Sequence, residues 1–298
     1  MKHWKLAAIA ALWSGALYAA PMPVVASFSI LGDVAQQIGG ERVAVQSLVG
    51  ANQDAHAYNL TSSDIKKIRE ARLVLLNGLG LEKAELQRAV KQSKVASAEA
   101  TAGIKPLAAD EHHHEHNHGH DHDHGEFDPH VWNDPVLMQR YAANVAIALI
   151  KADPAGSRYY QQRFKDYQNV LNQLNNYANQ QFGAVAPAKR KVLTGHDSFA
   201  YLGKRYQVKF ISPQGVSSEA EPSARQIAAI IRQIKAENVK AVFTENIKDG
   251  RMIARIAKET GVKVSGGLYA DALSSGAPAG TYADMFRYNV RVMSEAMK

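Results

Sequence analysis

The chain is 298 residues long, 46% apolar and free of cysteine, with a formal net charge of +7. These figures leave room for one large domain or two of ordinary size, exclude a disulfide scaffold and any thiolate metal site, and predict no lipidated N-terminal cysteine. The lysines and arginines are scattered, without a basic cluster or an aromatic ladder, so the charge is read as a solvated surface and no nucleic-acid partner is expected.

Residues 1–20 read as a secretory signal. Lys2 and Lys5 open it, Leu6 to Leu17 is an apolar run too short to span a membrane, and Ala19 and Ala20 are small residues suited to cleavage. Removing that segment leaves a mature charge of about +5 and predicts a soluble periplasmic protein. Val24 to Phe28 then reads as a buried strand, followed by a helix that stops at Gly39 and Gly40. Val43 to Val49 is a second strand, and Asn52 to Tyr58 is the loop at its carboxyl end. A helix from Ser62 through Arg72, a strand over Leu73 to Leu76 and a helix from Glu82 to Lys94 continue the alternation. Strand alternating with helix marks a parallel sheet covered by helices.

The stretch from Glu111 to Pro135 breaks the pattern. Eight of the twelve histidines fall in it as one run: His112, His113, His114, His116, His118, His120, His122 and His124, interleaved with Glu115, Asp121 and Asp123. The run has no apolar residue with which to pack a core, so a mobile loop is predicted. Imidazole and carboxylate are ligands for Zn²⁺ and similar cations, so the run suits weak, multi-site metal capture. An internal position and the admixed acids argue against a purification tag. Directly after it comes Asp128-Pro129-His130-Val131-Trp132-Asn133-Asp134-Pro135, read as a tight turn in which Asn133 or Asp134 caps a following helix.

That helix covers 136–152, with Leu137, Tyr141, Val145 and Leu149 at helical spacing. Ser157 to Phe182 reads as one helix of about 25 residues, or ~38 Å. It is polar except for a thin stripe of Tyr160, Phe164, Tyr167, Leu171 and Leu174, which predicts a strut along two lobes rather than a core element. Alternation then resumes. Strands are expected over Lys191 to Gly195, Val208 to Ile211, Ala241 to Glu245 and Val262 to Val264. Helices are expected from His196, from Pro222 through Glu237, over Gly250 to Thr260 and over Thr281 to Met297, with Leu268 to Asp271 as a loop. The expected fold is α/β: two lobes, each a mainly parallel sheet flanked by helices, joined by one long rigid helix. Its divisions are a signal segment (1–20), an N-terminal lobe (21–155, with the loop at 109–127), a linking helix (156–183) and a C-terminal lobe (184–298).

Ligands in open α/β sheets bind beyond the carboxyl ends of strands. His56, His130, His196 and Asp271 all fall in such loops, two in each half, which points to the cleft between the lobes. Four nitrogen and oxygen donors make a closed tetrahedral set for Zn²⁺, whereas catalytic zinc keeps a position for water. Taken singly, each residue also fits a capping or turn-forming role. His196-Asp197-Ser198 evokes a hydrolase triad, but no Gly-x-Ser-x-Gly elbow surrounds Ser198.

Six segments stand out together: Asp54-Ala55-His56-Ala57-Tyr58, Asn77-Gly78-Leu79-Gly80-Leu81-Glu82, the octapeptide Asp128 to Pro135, His196-Asp197-Ser198-Phe199-Ala200-Tyr201, Glu221-Pro222-Ser223-Ala224 and Leu268-Tyr269-Ala270-Asp271. In this order they resemble the metal-binding solute-binding proteins of zinc and manganese ABC importers. The resemblance implies metal held between two lobes by His56, His130, His196 and Asp271. It implies delivery to a membrane permease, with a periplasmic metallochaperone as a further candidate partner, and a monomer. This chain departs from the pattern at Ala55, Asn59 and Leu60, where the family usually has proline and Glu-Pro, and it lacks the cysteine pair of many zinc members. Manganese importers often carry glutamate at the position of His196. Three imidazoles with one carboxylate favour Zn²⁺ over Mn²⁺, and the histidine run points the same way. Glu245, Asp54 and Asp197 are the expected orienting partners of the ring nitrogens. A manganese or iron carrier, a zinc-dependent periplasmic hydrolase and a metal buffer are the alternatives.

Overall fold

Parallel strands buried on both faces are continuous apolar runs, and Leu73-Val74-Leu75-Leu76, buried throughout, is one. The computed structural model describes residues 20–109 and 127–298. The expected signal segment, apart from its last residue, and the histidine run lie outside the described residues. The first lobe runs β1 (Met22–Phe28), α1 (Ser29–Gly39), β2 (Val43–Val49), α2 (Ser62–Glu70), β3 (Leu73–Leu76), α3 (Ala84–Ser93) and β4 (Ala96–Glu99). Its strands pair in the order β2-β1-β3-β4, all parallel. Alternate β1 side chains serve two cores. Val24, Ala26 and Phe28 pack with α1 in the large central cluster, and Val25 packs with Ile68, Leu86 and Val90 of α2 and α3.

Two helices follow, α4 (Leu137–Ala152) and α5 (Ser157–Gly183). The second lobe then runs β5 (Lys191–Leu193), α6 (Ala200–Tyr206), β6 (Lys209–Ile211), α7 (Ala224–Glu237), β7 (Ala241–Glu245), α8 (Arg251–Thr260), β8 (Gly266–Leu268) and α9 (Tyr282–Met297). Its sheet repeats the first lobe's order, β6-β5-β7-β8, again parallel. Each sheet therefore turns the carboxyl ends of its strands one way, and the loops leaving those ends meet between the lobes.

Helix α5 is 27 residues long, about 40 Å at 1.5 Å per residue. It does more than bridge. Tyr160, Tyr167, Leu171, Leu174, Ala178 and Phe182 are buried in the central core, packed with α1, α4 and α9. The polar composition that suggested a strut belongs to the face turned to solvent. Two further expectations are corrected. The last strand is Gly266–Leu268, not 262–264, because the Val262 N–H closes the end of α8 on Ala257 O, and the chain first meets β7 at Ser265, whose N–H donates to Val242 O. Helix α6 opens at Ala200 rather than His196, since His196 is bridged to Gln214 and the Asp197 N–H goes to Gly215 O, so the chain is still extended there. The short, mostly exposed strand β4 carries no apolar pattern and was not anticipated.

Candidate metal centre

Two of the candidate ligands sit in the same local device, an aspartate two residues ahead of a histidine. Asp54 Oδ1 accepts the backbone N–H of His56 at 2.9 Å, and Asp128 Oδ1 accepts that of His130 at 2.9 Å. Such side-chain-to-backbone bonds fix a turn without a helix or strand around it. Asp128 Oδ1 also meets His130 Nδ1 at 2.7 Å and so orients the ring. The rest of the octapeptide is locked against the second lobe. The Trp132 indole N–H donates to Ala270 O at 2.8 Å, the Tyr282 hydroxyl to Trp132 O at 2.9 Å, and the Asn133 amide to Ser198 O at 2.7 Å. Asn133 is thus a cross-lobe tether and not a helix cap. Asp134 accepts the Val136 N–H at 2.8 Å and pairs with Arg205.

His196 follows β5 and is held by Glu245, the last residue of β7. Glu245 Oε1 accepts the N–H groups of Gly195 (2.8 Å) and His196 (3.1 Å), and Oε2 meets His196 Nδ1 at 2.6 Å. A Cβ on Gly195 would stand 3.0 Å from Glu245 Oε2, so a side chain there would crowd the carboxylate. Asp271 follows β8 on a loop pinned by the paired bonds between Tyr269 and Asn289.

The four ends converge. One ligand atom from each of His56, His130, His196 and Asp271 lies within 4.8 Å of all the others. The two Nε2 atoms of His56 and His130 are 3.1 Å apart. Asp271 Oδ2 is 3.4 Å from His56 Nε2 and 3.0 Å from His196 Nε2, and Oδ1 is 3.4 Å from His130 Nε2. Donors bound tetrahedrally at zinc bond lengths would be separated by about 3.3 Å. His130, His196 and Asp271 are fully buried and His56 is 7% exposed.

The charges follow from this crowding. Burial disfavours a charged ring at His196, but Glu245 and Asp271 outweigh it and raise the imidazole well above its usual value. Burial also opposes ionisation of Asp271, and His196 and His130 reverse that, holding the carboxyl well below the usual range. Both Asp271 oxygens and His196 Nε2 are buried and have no hydrogen-bond partner among the described residues. Buried polar atoms without a hydrogen bond are unfavourable, and a cation among them would give each a partner. The donor set therefore fits a metal ion.

Of the expected orienting partners, Glu245 meets a ring nitrogen. Asp54 acts on the His56 backbone instead, and Asp197 donates its backbone N–H to Gly215 O at 3.1 Å. Asp128 was missed, although the shared Asp-x-His spacing at 54–56 and 128–130 was visible in the sequence. The triad reading of Ser198 fails, because both ring nitrogens of His196 face carboxylates and Ser198 Oγ has no hydrogen-bond partner among the described residues. The histidines at 112, 113, 114, 116, 118, 120, 122 and 124 lie outside the described residues.

Residues 24–296 match the family model described as "Zinc-uptake complex component A periplasmic" (ZnuA). The chain is 32% identical over 287 residues to the manganese-binding lipoprotein MntA of Bacillus subtilis, covering 93% of this chain and 90% of that one. It is 27% identical over 277 residues to the iron ABC transporter substrate-binding lipoprotein MtsA of Streptococcus pyogenes, covering 93% and 89%. The periplasmic zinc binding protein TroA from Treponema pallidum superposes with a TM-score of 0.85 at 26% identity, covering 93% of this chain and 99% of that one. Among the described residues no helix is long and apolar enough to cross a membrane. Since the family match runs through both sheets and all four converging side chains, the chain belongs to the ZnuA family of metal-binding solute-binding proteins of ABC importers, which are carriers and not enzymes.

Proposed function

We propose that this protein captures Zn²⁺ between its lobes through His56, His130, His196 and Asp271 and passes it to the membrane permease of an ABC importer. In this reading it works as a periplasmic monomer after loss of residues 1–20. The observation that carries the zinc assignment is the donor set: three imidazole nitrogens and one carboxylate, with separations of 3.0–3.4 Å between neighbouring ligand atoms. Imidazole suits zinc, whereas manganese favours sites richer in oxygen. The run His112 to His124 would collect zinc weakly and raise its concentration beside the cleft, to the order of millimolar for a short tether. A periplasmic metallochaperone is the other candidate source of metal.

A manganese or iron cargo is the second reading. Relatives are named for those metals, and one geometric feature favours it. Each Asp271 oxygen faces an imidazole, Oδ1 toward His130 and Oδ2 toward His56 and His196. Both oxygens are thus available to one ion, which suits metals of higher coordination number. The deciding experiment is metal analysis of protein purified without added metal, followed by Zn²⁺ and Mn²⁺ competition titrations. One tightly held Zn²⁺ that Mn²⁺ does not displace supports the proposal. Retained Mn²⁺, or displacement of zinc by comparable Mn²⁺, transfers the assignment to the second reading.

A further inference from the structure

The three imidazoles are not held alike. His130 and His196 each present Nδ1 to a carboxylate of their own lobe, Asp128 at 2.7 Å and Glu245 at 2.6 Å. His56 is placed through its backbone, by Asp54 Oδ1. The other oxygen of that carboxylate crosses the cleft: Asp54 Oδ2 accepts the hydroxyl of Ser218 at 2.5 Å, from a residue 164 positions further along the chain. We propose that Ser218 is a positioning residue of the metal cleft, holding His56 in ligating position through Asp54. The inference rests on the metal-site reading given above.

Ser218 is well anchored for this task. It is fully buried. The Gln214 amide, also buried, donates to Ser218 O at 3.1 Å and to Ala220 O at 2.7 Å, which stiffens the segment that carries it. That segment is joined to the His196 loop, since Gln214 bridges His196 and Gly215 O accepts the Asp197 N–H at 3.1 Å. The hydrogen-bonded path from the His196 loop through Gln214, Ser218 and Asp54 therefore ends on His56. A ligand belonging to the first lobe is set by an element of the second. Drawing the lobes apart would take Ser218 away from Asp54 and leave that carboxylate held from the first lobe alone, while His130 and His196 kept their carboxylates.

Near it, Lys83 meets Glu219 at 2.8 Å and Asn52 meets Asn246 at 3.0 Å across the cleft, but each of these side-chain pairs includes an exposed group. Exposed pairs contribute little. The Ser218 bond has a buried donor and a carboxylate acceptor at 2.5 Å.

The test is a double-mutant cycle in the full chain, read as the Zn²⁺ dissociation rate against a competing chelator. Ser218→Ala should release zinc roughly tenfold faster, the lower range for loss of an outer partner of a metal ligand, with the metal-free variant still unfolding in one cooperative transition. Asp54→Ala should release it at least as fast, and adding Ser218→Ala to Asp54→Ala or to His56→Ala should change the rate no further. A wild-type rate in Ser218→Ala overturns the inference, as does an equal acceleration by Ser218→Ala in the His56→Ala background. His56→Ala alone separates the two levels. If it leaves zinc affinity intact, the cleft assignment falls and this inference with it. If it weakens zinc while Ser218→Ala does not, only the role of Ser218 falls.

Discussion

Replacing Glu245 with glutamine keeps the volume of the side chain and removes one acceptor. In the native site its two oxygens take three donors, the N–H groups of Gly195 and His196 and the Nδ1–H of His196. Glutamine has one carbonyl oxygen for these, and its amide must face either the backbone pair or the ring. Facing the backbone, it opposes two buried donors with a third. Facing the ring, it donates to Nδ1 and moves the ring proton to Nε2, the atom 3.0 Å from Asp271 that would hold the metal. Either arrangement damages the site. Loss of an orienting partner of a metal-bound histidine costs about 10- to 100-fold in affinity, or roughly 1.4–2.7 kcal/mol. The tautomer argument places Glu245→Gln near the upper end. The assay is a Zn²⁺ competition titration at pH 7.5, with thermal unfolding of the metal-free variant to show that the fold survives. An affinity within twofold of wild type, in a variant that folds normally, would refute the reasoning.

Four further outcomes are expected. His130→Ala and His196→Ala should each weaken tight zinc binding far more than any single substitution within 112–124, because a fixed ligand has no substitute and a run of histidines has many; equal losses in titration would count against the cleft. Deleting 111–126 should leave one tight ion and remove the weak ones while slowing loading, read as stoichiometry and rate; loss of the tight ion would show that the run belongs to the primary site. Zinc affinity should fall as pH drops from 8 to 5.5, since protons compete with metal for imidazole nitrogens; His196 opposes burial with Glu245 and Asp271 and so keeps its proton well above the usual pKa, and an affinity flat with pH would sink the three-histidine site. Asp64 is the last case. Burial would raise its pKa, but hydrogen bonds from Thr61, Tyr58 and Lys67 lower it from 3.8 to about 2, a contribution on the order of 2 kcal/mol. That stability is present above pH ~4 and lost as pH falls through about 2, so the urea-melt difference between wild type and Asp64→Asn, measured without metal, should shrink toward pH 2 and not stay constant.

Much of this protein is legible in its residues. Apolar runs such as Leu73 to Leu76, separated by helical stretches, dictate parallel sheets, because a strand buried on both faces needs no alternation. Loops at the carboxyl ends of such strands hold His56, His196 and Asp271, so a shared cleft follows from topology, whereas His130 comes long after β4, in the turn ahead of α4. Local signals were weaker where a residue's partner lies far along the chain. The start of β8 depended on pairing with β7, and the burial of one face of α5 on helices from both lobes. Asp128 could have been found from the repeated Asp-x-His spacing, but only the fold shows that it reaches the ring as well as the backbone while Asp54 does not. The hydroxyl of Ser218 lies in a stretch with no pattern of its own, and its meeting with Asp54 is set by how the two lobes pack. Sequence determined which side chains could bind metal, since that is a matter of chemical type. Tertiary structure decided which partner holds each of them, since an orienting hydrogen bond depends on separations of a few tenths of an ångström between residues up to 164 positions apart.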